Sequence, residues 1–313
     1  MGNYHVRNYS QLPEADLVAV CDVMTESVQL FAEQYGCKGY TNLDDMLENE
    51  PLDAVSITAP TRFHFNIAKK VIEKGIHVLI EKPIADTLED AQELIRLAAT
   101  YQVTLTVGHI ERFNPAITKL KELVDAGALG KITSLISRRV GAFPAQIKDA
   151  NVVIDLAVHD IDVFSYLLGK QPTGISGNAG RALIEDREDY ADIFLTYGDQ
   201  TGYIQVNWIT PVRIRTLSVT GTKGYAELDY MTQSLTVYET IYSRERDQFG
   251  DEVVKFSEPN KVEFAIEKKG QLEIELAHFL ACIREKTSPL VDGEAALEAL
   301  SVALNVMRAV TSR

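Results

Sequence analysis

The chain has 313 residues, 46% hydrophobic and 24% charged, with a formal net charge of −14. That length predicts two domains with a sizeable core, and so acidic a surface argues against nucleic acid or an anionic membrane as partner, leaving room only for a local basic pocket that takes a phosphate. Cys21, Cys37 and Cys282 are scattered without metal or disulfide spacing, no run has the apolar length of a membrane span, and no signal-peptide pattern opens the sequence, so a cytoplasmic protein without a metal site is expected.

The opening stretch, "MGNYHVRNYSQLPEADLVAVCD", reads as a helix, a loop and a strand ending in Asp22. In a dinucleotide-binding βαβ unit a glycine-rich turn leads into the helix, and an acidic residue roughly 20 positions later takes the adenosine ribose. Gly2 and Asp22 have that separation, but the first strand and the first two glycines of such a unit are missing. Two readings stand: about ten further residues precede Met1 in the natural product, as a βαβ unit requires, or the chain is natural as written with a degenerate site.

Apolar, β-branched runs follow at "DLVAVCD" (16–22), "DAVSITAP" (53–60), "IHVLIE" (76–81) and "VTLTVGH" (103–109). Between them, "TESVQLFAEQYG" reads as a helix capped by Thr25 and closed by Gly36, and "TRFHFNIAKKVIEKG" as one closed by Gly75. This alternation predicts an α/β, doubly wound parallel sheet of the Rossmann kind over residues 1–113. Ligands of such sheets sit beyond the carboxyl ends of the strands, which draws attention to Asp22, Thr58 to Thr61, Glu81 to Pro83 and Gly108 to Asn114.

From 114 to 313 the pattern changes: a helix in "PAITKLKELVDAG", a strand in "KITSLISRR", a helix over about 153–168, successive strands from Gly174 to Phe256, and two closing helices, "QLEIELAHFLACIREK" and "GEAALEALSVALNVMRAV". This is an α+β domain with a large, open, mostly antiparallel sheet. A bare, half-apolar face of such a sheet commonly seats a second subunit.

In "NVVIDLAVHDIDVFSYLLG", Asp155, His159 and Asp162 recur at i, i+4 and i+7, one face of an α-helix. The stripe is either a solvated edge with an Asp–His pair or the wall of a cleft. "IEKP" puts Glu81 and Lys82 at the carboxyl end of a buried strand, where a lysine is either an ordinary surface group or part of a site. Together Lys82, His159 and Asp155 supply a cation, a base and its orienter, the set that takes a proton from an alcohol as hydride leaves.

"SITAPTRFHFNIAKKVIEKGIHVLIEKPIA" and "IDLAVHDIDVFSYLLG", in this order, resemble the glucose-fructose oxidoreductase and inositol dehydrogenase family, Gfo/Idh/MocA. The resemblance runs along nearly the whole chain. It implies a two-domain, nicotinamide-dependent oxidoreductase of sugars or cyclitols, assembling as a homodimer or homotetramer through the open sheet. It further implies that Lys82 touches substrate and nicotinamide, that His159 with Asp155 is the acid/base pair, and that Asp22 selects NAD over NADP. Thr58, Ala59, Pro60 and His64 match the loop lining the cofactor, Glu81 matches its nicotinamide-ribose side, and His109 lies at the end of the next strand. Met1, Gly2 and His5 fall on the tail of the family's glycine turn.

"VGHIERFNPAI" (107–117) and "NWITPVRIRTLSVTGTKG" (207–224) resemble the branch that oxidises C3 of UDP-N-acetylglucosamine. That implies substrate contacts for Arg112 and Asn114, where the chain passes from the first domain to the second, in addition to Lys82, Asp155 and His159. Asn114-Pro115 can equally start a helix, and Arg112 can equally pair with an acidic neighbour. Arg213 and Arg215 alternate on a strand, so both point to one face and are able to hold a diphosphate, or one is merely solvated. A dehydrogenase of a free sugar or inositol and a non-catalytic NAD-binding regulator are the alternatives.

Overall fold

The computed structural model describes residues 1–143 and 150–311. The chain divides into two compact units, one of Met1–Phe113 with Lys269–Ser301, the other of Asn114–Lys268 with the chain from Val302 on. The first unit opens with α1 (Gly2–Tyr9), β1 (Ala19–Cys21), α2 (Thr25–Tyr35), β2 (Lys38–Tyr40), α3 (Leu43–Asn49), β3 (Ala54–Ile57), α4 (His64–Glu73), β4 (His77–Glu81), α5 (Leu88–Tyr101) and β5 (Leu105–Gly108). The second contains α6 (Pro115–Asp125), β6 (Ile132–Ala142), a π-helical turn (Val153–Ala157), α7 (Val158–Leu168), β7 (Gly174–Gly180), β8 (Tyr190–Tyr197), β9 (Gln200–Asn207) and β10 (Ile209–Gly221). It continues with β11 (Gly224–Asp229), β12 (Ser234–Glu239), β13 (Tyr242–Arg246), β14 (Glu252–Phe256) and β15 (Asn260–Glu263), and the chain closes with α8 (Gln271–Glu285) and α9 (Gly293–Thr311).

Every strand pair in the first unit is parallel: β1 with β2, and β3, β4 and β5 in that order. In the doubly wound order 3-2-1-4-5-6, these strands take all places but that of strand 1, between β1 and β3, which no strand fills among the described residues. Val78, Leu79 and Ile80 of β4 are fully buried, as a strand covered on both faces must be. Gly36 (φ +68°) and Gly75 (φ +74°) end their helices in the left-handed region that glycine enters without a Cβ clash. Thr25 is the first residue of α2 and not its cap, because Asp22 Oδ1 already accepts the Met24 N–H at 2.9 Å and turns the chain there.

The sequence alone runs the second domain to 313, whereas residues 269–301 belong to the first unit. The cause is α8, whose Leu272, Leu276 and Phe279 bury against Leu12 and Leu79. Amphipathicity shows that a helix needs a partner surface without saying which surface.

The second unit is built on an eight-stranded sheet in the order β15-β12-β11-β10-β6-β9-β8-β7, antiparallel throughout except for β6 with β9. Along β8, Ala191, Ile193, Leu195 and Tyr197 are buried in alternation with more exposed neighbours. On the opposite face Ile136, Tyr203 and Phe194 stand side by side across β6, β9 and β8, with Ile136 and Phe194 each 47% exposed.

Helix α7 is fastened to the sheet by charge. Asp160, fully buried, accepts from Arg139 Nε at 2.9 Å and from Ser137 Oγ at 2.6 Å, and the Arg139 guanidinium lies 4.7 Å over the Tyr230 ring. Removing one partner strands the other as an uncompensated buried charge. Arg139→Met is therefore expected to lower the stability of the protein by about 3–5 kcal/mol in urea unfolding, while Arg139→Met with Asp160→Leu costs far less.

Candidate active site

The first unit gathers its candidate residues at strand ends. Gly2 starts α1 so close to the loop after β3 that a Cβ on it would stand 3.1 Å from Thr58 Oγ1. Helix α1 is held by Tyr9 Oη to Ser56 Oγ at 2.7 Å and by His5 Nε2, which donates to Glu81 Oε1 at 2.8 Å. Glu81 Oε2 lies 3.3 Å from the Lys82 main-chain nitrogen, so the glutamate carboxylate seats the peptide that carries Lys82. Lys82 is itself half-buried.

His64, 1% exposed, joins the two loops that follow β3 and β4: Nε2 lies 2.7 Å from the Ala59 carbonyl oxygen and Nδ1 2.9 Å from that of Pro83. Both ring nitrogens of His64 thus lie within hydrogen-bond distance of a main-chain carbonyl, one on each loop. Its part is to hold those loops together, and Pro60, exposed, begins the short turn Thr61–Phe63 between them. Asp22 is exposed at the end of β1. Further on, His109 is 1% exposed, and Arg112, in the turn Ile110–Phe113, donates to the Leu290 carbonyl at 3.1 Å.

Asn114 is fully buried, its side-chain oxygen capping α6 through the Ala116 N–H at 3.0 Å and its amide donating to the Tyr230 carbonyl at 3.2 Å. Of the two readings of Asn114-Pro115, the structure realises the helix start.

In the second unit, Asp155 lies in the π-helical turn and His159 in the first turn of α7, both half-buried, while Asp162 is 2% exposed. The three are therefore not evenly spaced along one α-helix: i→i+5 bonding widens the turn around Asp155, while His159 and Asp162 keep α-helical spacing on α7, Asp162 buried. Such single π-turns occur frequently at functional sites. Arg215 pairs across the sheet with Arg139 and so shares the face on which α7 lies. Arg213 is exposed, and the register of β10 shifts between Ile209 and Ile214, so the simple alternation expected of the two arginines meets a bulge.

Four participants escaped the sequence reading: Arg139, Asp160, Glu275, and His5 as the partner of Glu81. Only Glu275 left a visible signal, an acidic residue on the apolar stripe of α8 formed by positions 272, 276 and 279.

A parallel βαβ unit with an acid ending its second position's strand, joined to an α+β unit with a histidine helix, defines an NAD-binding oxidoreductase of two domains. Residues 1–109 match the family model "Oxidoreductase family, NAD-binding Rossmann fold", and residues 117–227 match "GFO/IDH/MocA C-terminal domain". The chain belongs to the Gfo/Idh/MocA family.

It is 28% identical over 313 aligned residues to UDP-N-acetylglucosamine 3-dehydrogenase of Acidithiobacillus ferrooxidans, covering 99% of this chain and 94% of that protein. It is 29% identical to scyllo-inositol 2-dehydrogenase (NAD(+)) of Bacillus subtilis, covering 93% and 85%. A solved structure of the Acidithiobacillus enzyme superposes with a TM-score of 0.87 at 26% identity, over 99% of this chain and 94% of that one.

The residues present fit NAD: the close approach of Gly2 to Thr58 leaves backbone at the start of α1 accessible where a side chain would crowd it, and the exposed carboxylate of Asp22 suits a ribose diol. A carboxylate there repels a 2′-phosphate. Asp22→Ser is expected to narrow the NAD-over-NADP ratio of kcat/KM by roughly ten-fold or more, since like-charge juxtaposition is costly; steady-state rates with both cofactors check it.

Proposed function

We propose that this protein is an NAD-dependent dehydrogenase that oxidises the C3 hydroxyl of UDP-N-acetylglucosamine or a closely similar UDP-linked N-acetylhexosamine. The observation that carries this reading is the similarity to the Acidithiobacillus enzyme along 99% of this chain. It is supported by two segments in different units, 107–117 and 207–224, that both resemble that substrate branch.

NAD, when bound, supplies the hydride acceptor. The Lys82 ammonium holds the substrate oxygen and stabilises the charge that develops on it, His159 receives its proton, and Asp155 orients the imidazole. Thr58, Ala59, the Glu81–Lys82 peptide and His109 would line the cofactor, Arg112 would contact the substrate, and Arg215 would take the diphosphate of the UDP group. Binding energy from that remote group orients the reacting carbon. The open face with Ile136, Tyr203 and Phe194 seats a second copy of the chain, giving a homodimer or homotetramer.

A second reading, a dehydrogenase of a free sugar or inositol, has its own support in the 29% identity to the Bacillus inositol enzyme. Substrate panels separate the two. With UDP-N-acetylglucosamine and NAD, reduced nicotinamide and a 3-keto sugar should form, and free N-acetylglucosamine should react far more slowly; ready turnover of inositol or glucose with every UDP-sugar ignored selects the second reading.

Lys82→Met and His159→Ala should each lower kcat by roughly 100-fold or more with little change in NAD affinity. Arg215→Ala should raise KM for the UDP-sugar by roughly ten-fold or more, a charge-assisted hydrogen bond being worth about 1.5–3 kcal/mol, and leave NAD affinity unchanged in a binding titration.

A further inference from the structure

Glu275 stands where an apolar side chain is expected. It is 1% exposed on the face of α8 that packs with Leu12 and Leu79, and among the described residues neither of its carboxyl oxygens has a hydrogen-bond partner. The ionisable groups on the elements packed around it are His5 and Tyr9 on α1, Glu81 on β4, and Glu111 and Arg112 in the turn Ile110–Phe113. Of these, Glu81 is the carboxylate whose charge it feels.

Two carboxyl groups that share a dry pocket cannot both ionise cheaply. The hydrogen bonds decide which one does. Glu81 receives the His5 N–H at 2.8 Å and lies 3.3 Å from the Lys82 N–H, while Glu275 receives none. The charge therefore rests on Glu81 and the proton on Glu275. Burial, and then the Glu81 charge, push the Glu275 carboxyl well above the usual carboxylate range. Gly108 leaves room for this arrangement: a Cβ there would stand 3.1 Å from Glu81 Oε2, so any larger residue at this point of β5 would crowd the carboxylate.

We propose that Glu275 is a positioning residue for Lys82: as a neutral carboxylic acid it lets the ionised Glu81 stay seated between His5 and the Lys82 main-chain N–H, and its ionisation would push Glu81 out of that seat. The consequence for catalysis rests on the role of Lys82 proposed above. The protonation and the seat do not.

For an acid whose folded-state affinity for its proton is raised, the unfolded chain releases that proton first. Stability then falls with pH from the ordinary glutamate range, about 4.3, upward until the folded group itself ionises. Glu275→Gln keeps the shape and removes the proton. The ratio of unfolding equilibrium constants, wild type over variant, should therefore grow by up to about ten-fold per pH unit above about pH 5.

The same pair tests the seat through hydrogen exchange of the peptide spanning residues 79–84: at about pH 9 it should exchange faster in the wild type than in Glu275→Gln, and equally in both at about pH 6. In turnover, Glu275→Gln should match the wild-type kcat at neutral pH and lose less of it toward alkaline pH. Glu275→Met, also uncharged, gives the same readings if the amide is poorly tolerated at an apolar site.

Parallel pH profiles of unfolding in wild type and in both variants would overturn the proposal. So would a well-folded Glu275→Gln whose kcat is already reduced at neutral pH. If no sugar or UDP-sugar is oxidised at all, the proposed function fails, and the unfolding and exchange profiles still decide the state of Glu275.

Discussion

Parallel pairing is the constraint on which the first unit depends. Because β3, β4 and β5 run the same way, each strand delivers its last residues to the same edge: Thr58 and Ala59 after the first, Glu81 and Lys82 at the second, Gly108 and His109 at the third. Residues far apart in the chain become neighbours without any of them having to reach. The loops there have few backbone bonds of their own, so side chains bind them together, His64 across Ala59 and Pro83, and Glu81 across His5 and Lys82.

A second regularity joins the two units. Each contains one candidate catalytic residue that directly follows or precedes a buried carboxylate held by a basic side chain: Glu81 beside Lys82 with His5, and Asp160 beside His159 with Arg139. A buried carboxylate held by such a partner adds little net stability, because desolvation cancels much of the attraction, but it admits only one geometry. Placing such a pair one residue from the chemistry transfers that geometry to the reactive group. The two anchors differ in kind: Asp160 is satisfied by three donors, Arg139, Ser137 and Tyr230, whereas Glu81 shares its surroundings with a second carboxyl group.

The elements most legible in the sequence are those whose signal is local. The apolar runs at 53–60, 76–81 and 103–109 appear as β3, β4 and β5, and the long apolar-periodic stretches as α6, α8 and α9. By contrast β2, the three residues Lys38–Tyr40, has no apolar run to announce it and exists as a strand through its pairing with β1. The π-turn at Val153–Ala157 is a hydrogen-bonding choice that an α-helical periodicity cannot reveal. It sets Asp155 apart from His159 and Asp162, which keep α-helical spacing on α7.

By itself the sequence determined the alternation of strands and helices, the two-part architecture, and the residue types at the strand ends, because hydrophobic period and turn chemistry are carried by neighbours in the chain. Tertiary structure alone decided that α8 belongs with the first sheet, that Asn114 is a cap, that His64 bridges two carbonyls, and that Asp160 and Glu275 are buried. Each of these depends on which surface a residue meets from a distant part of the chain. An acidic side chain reads the same in a sequence whether a guanidinium, a carboxylate or water lies opposite it, and only the packing of α7 on β6 and of α8 on β4 makes that selection.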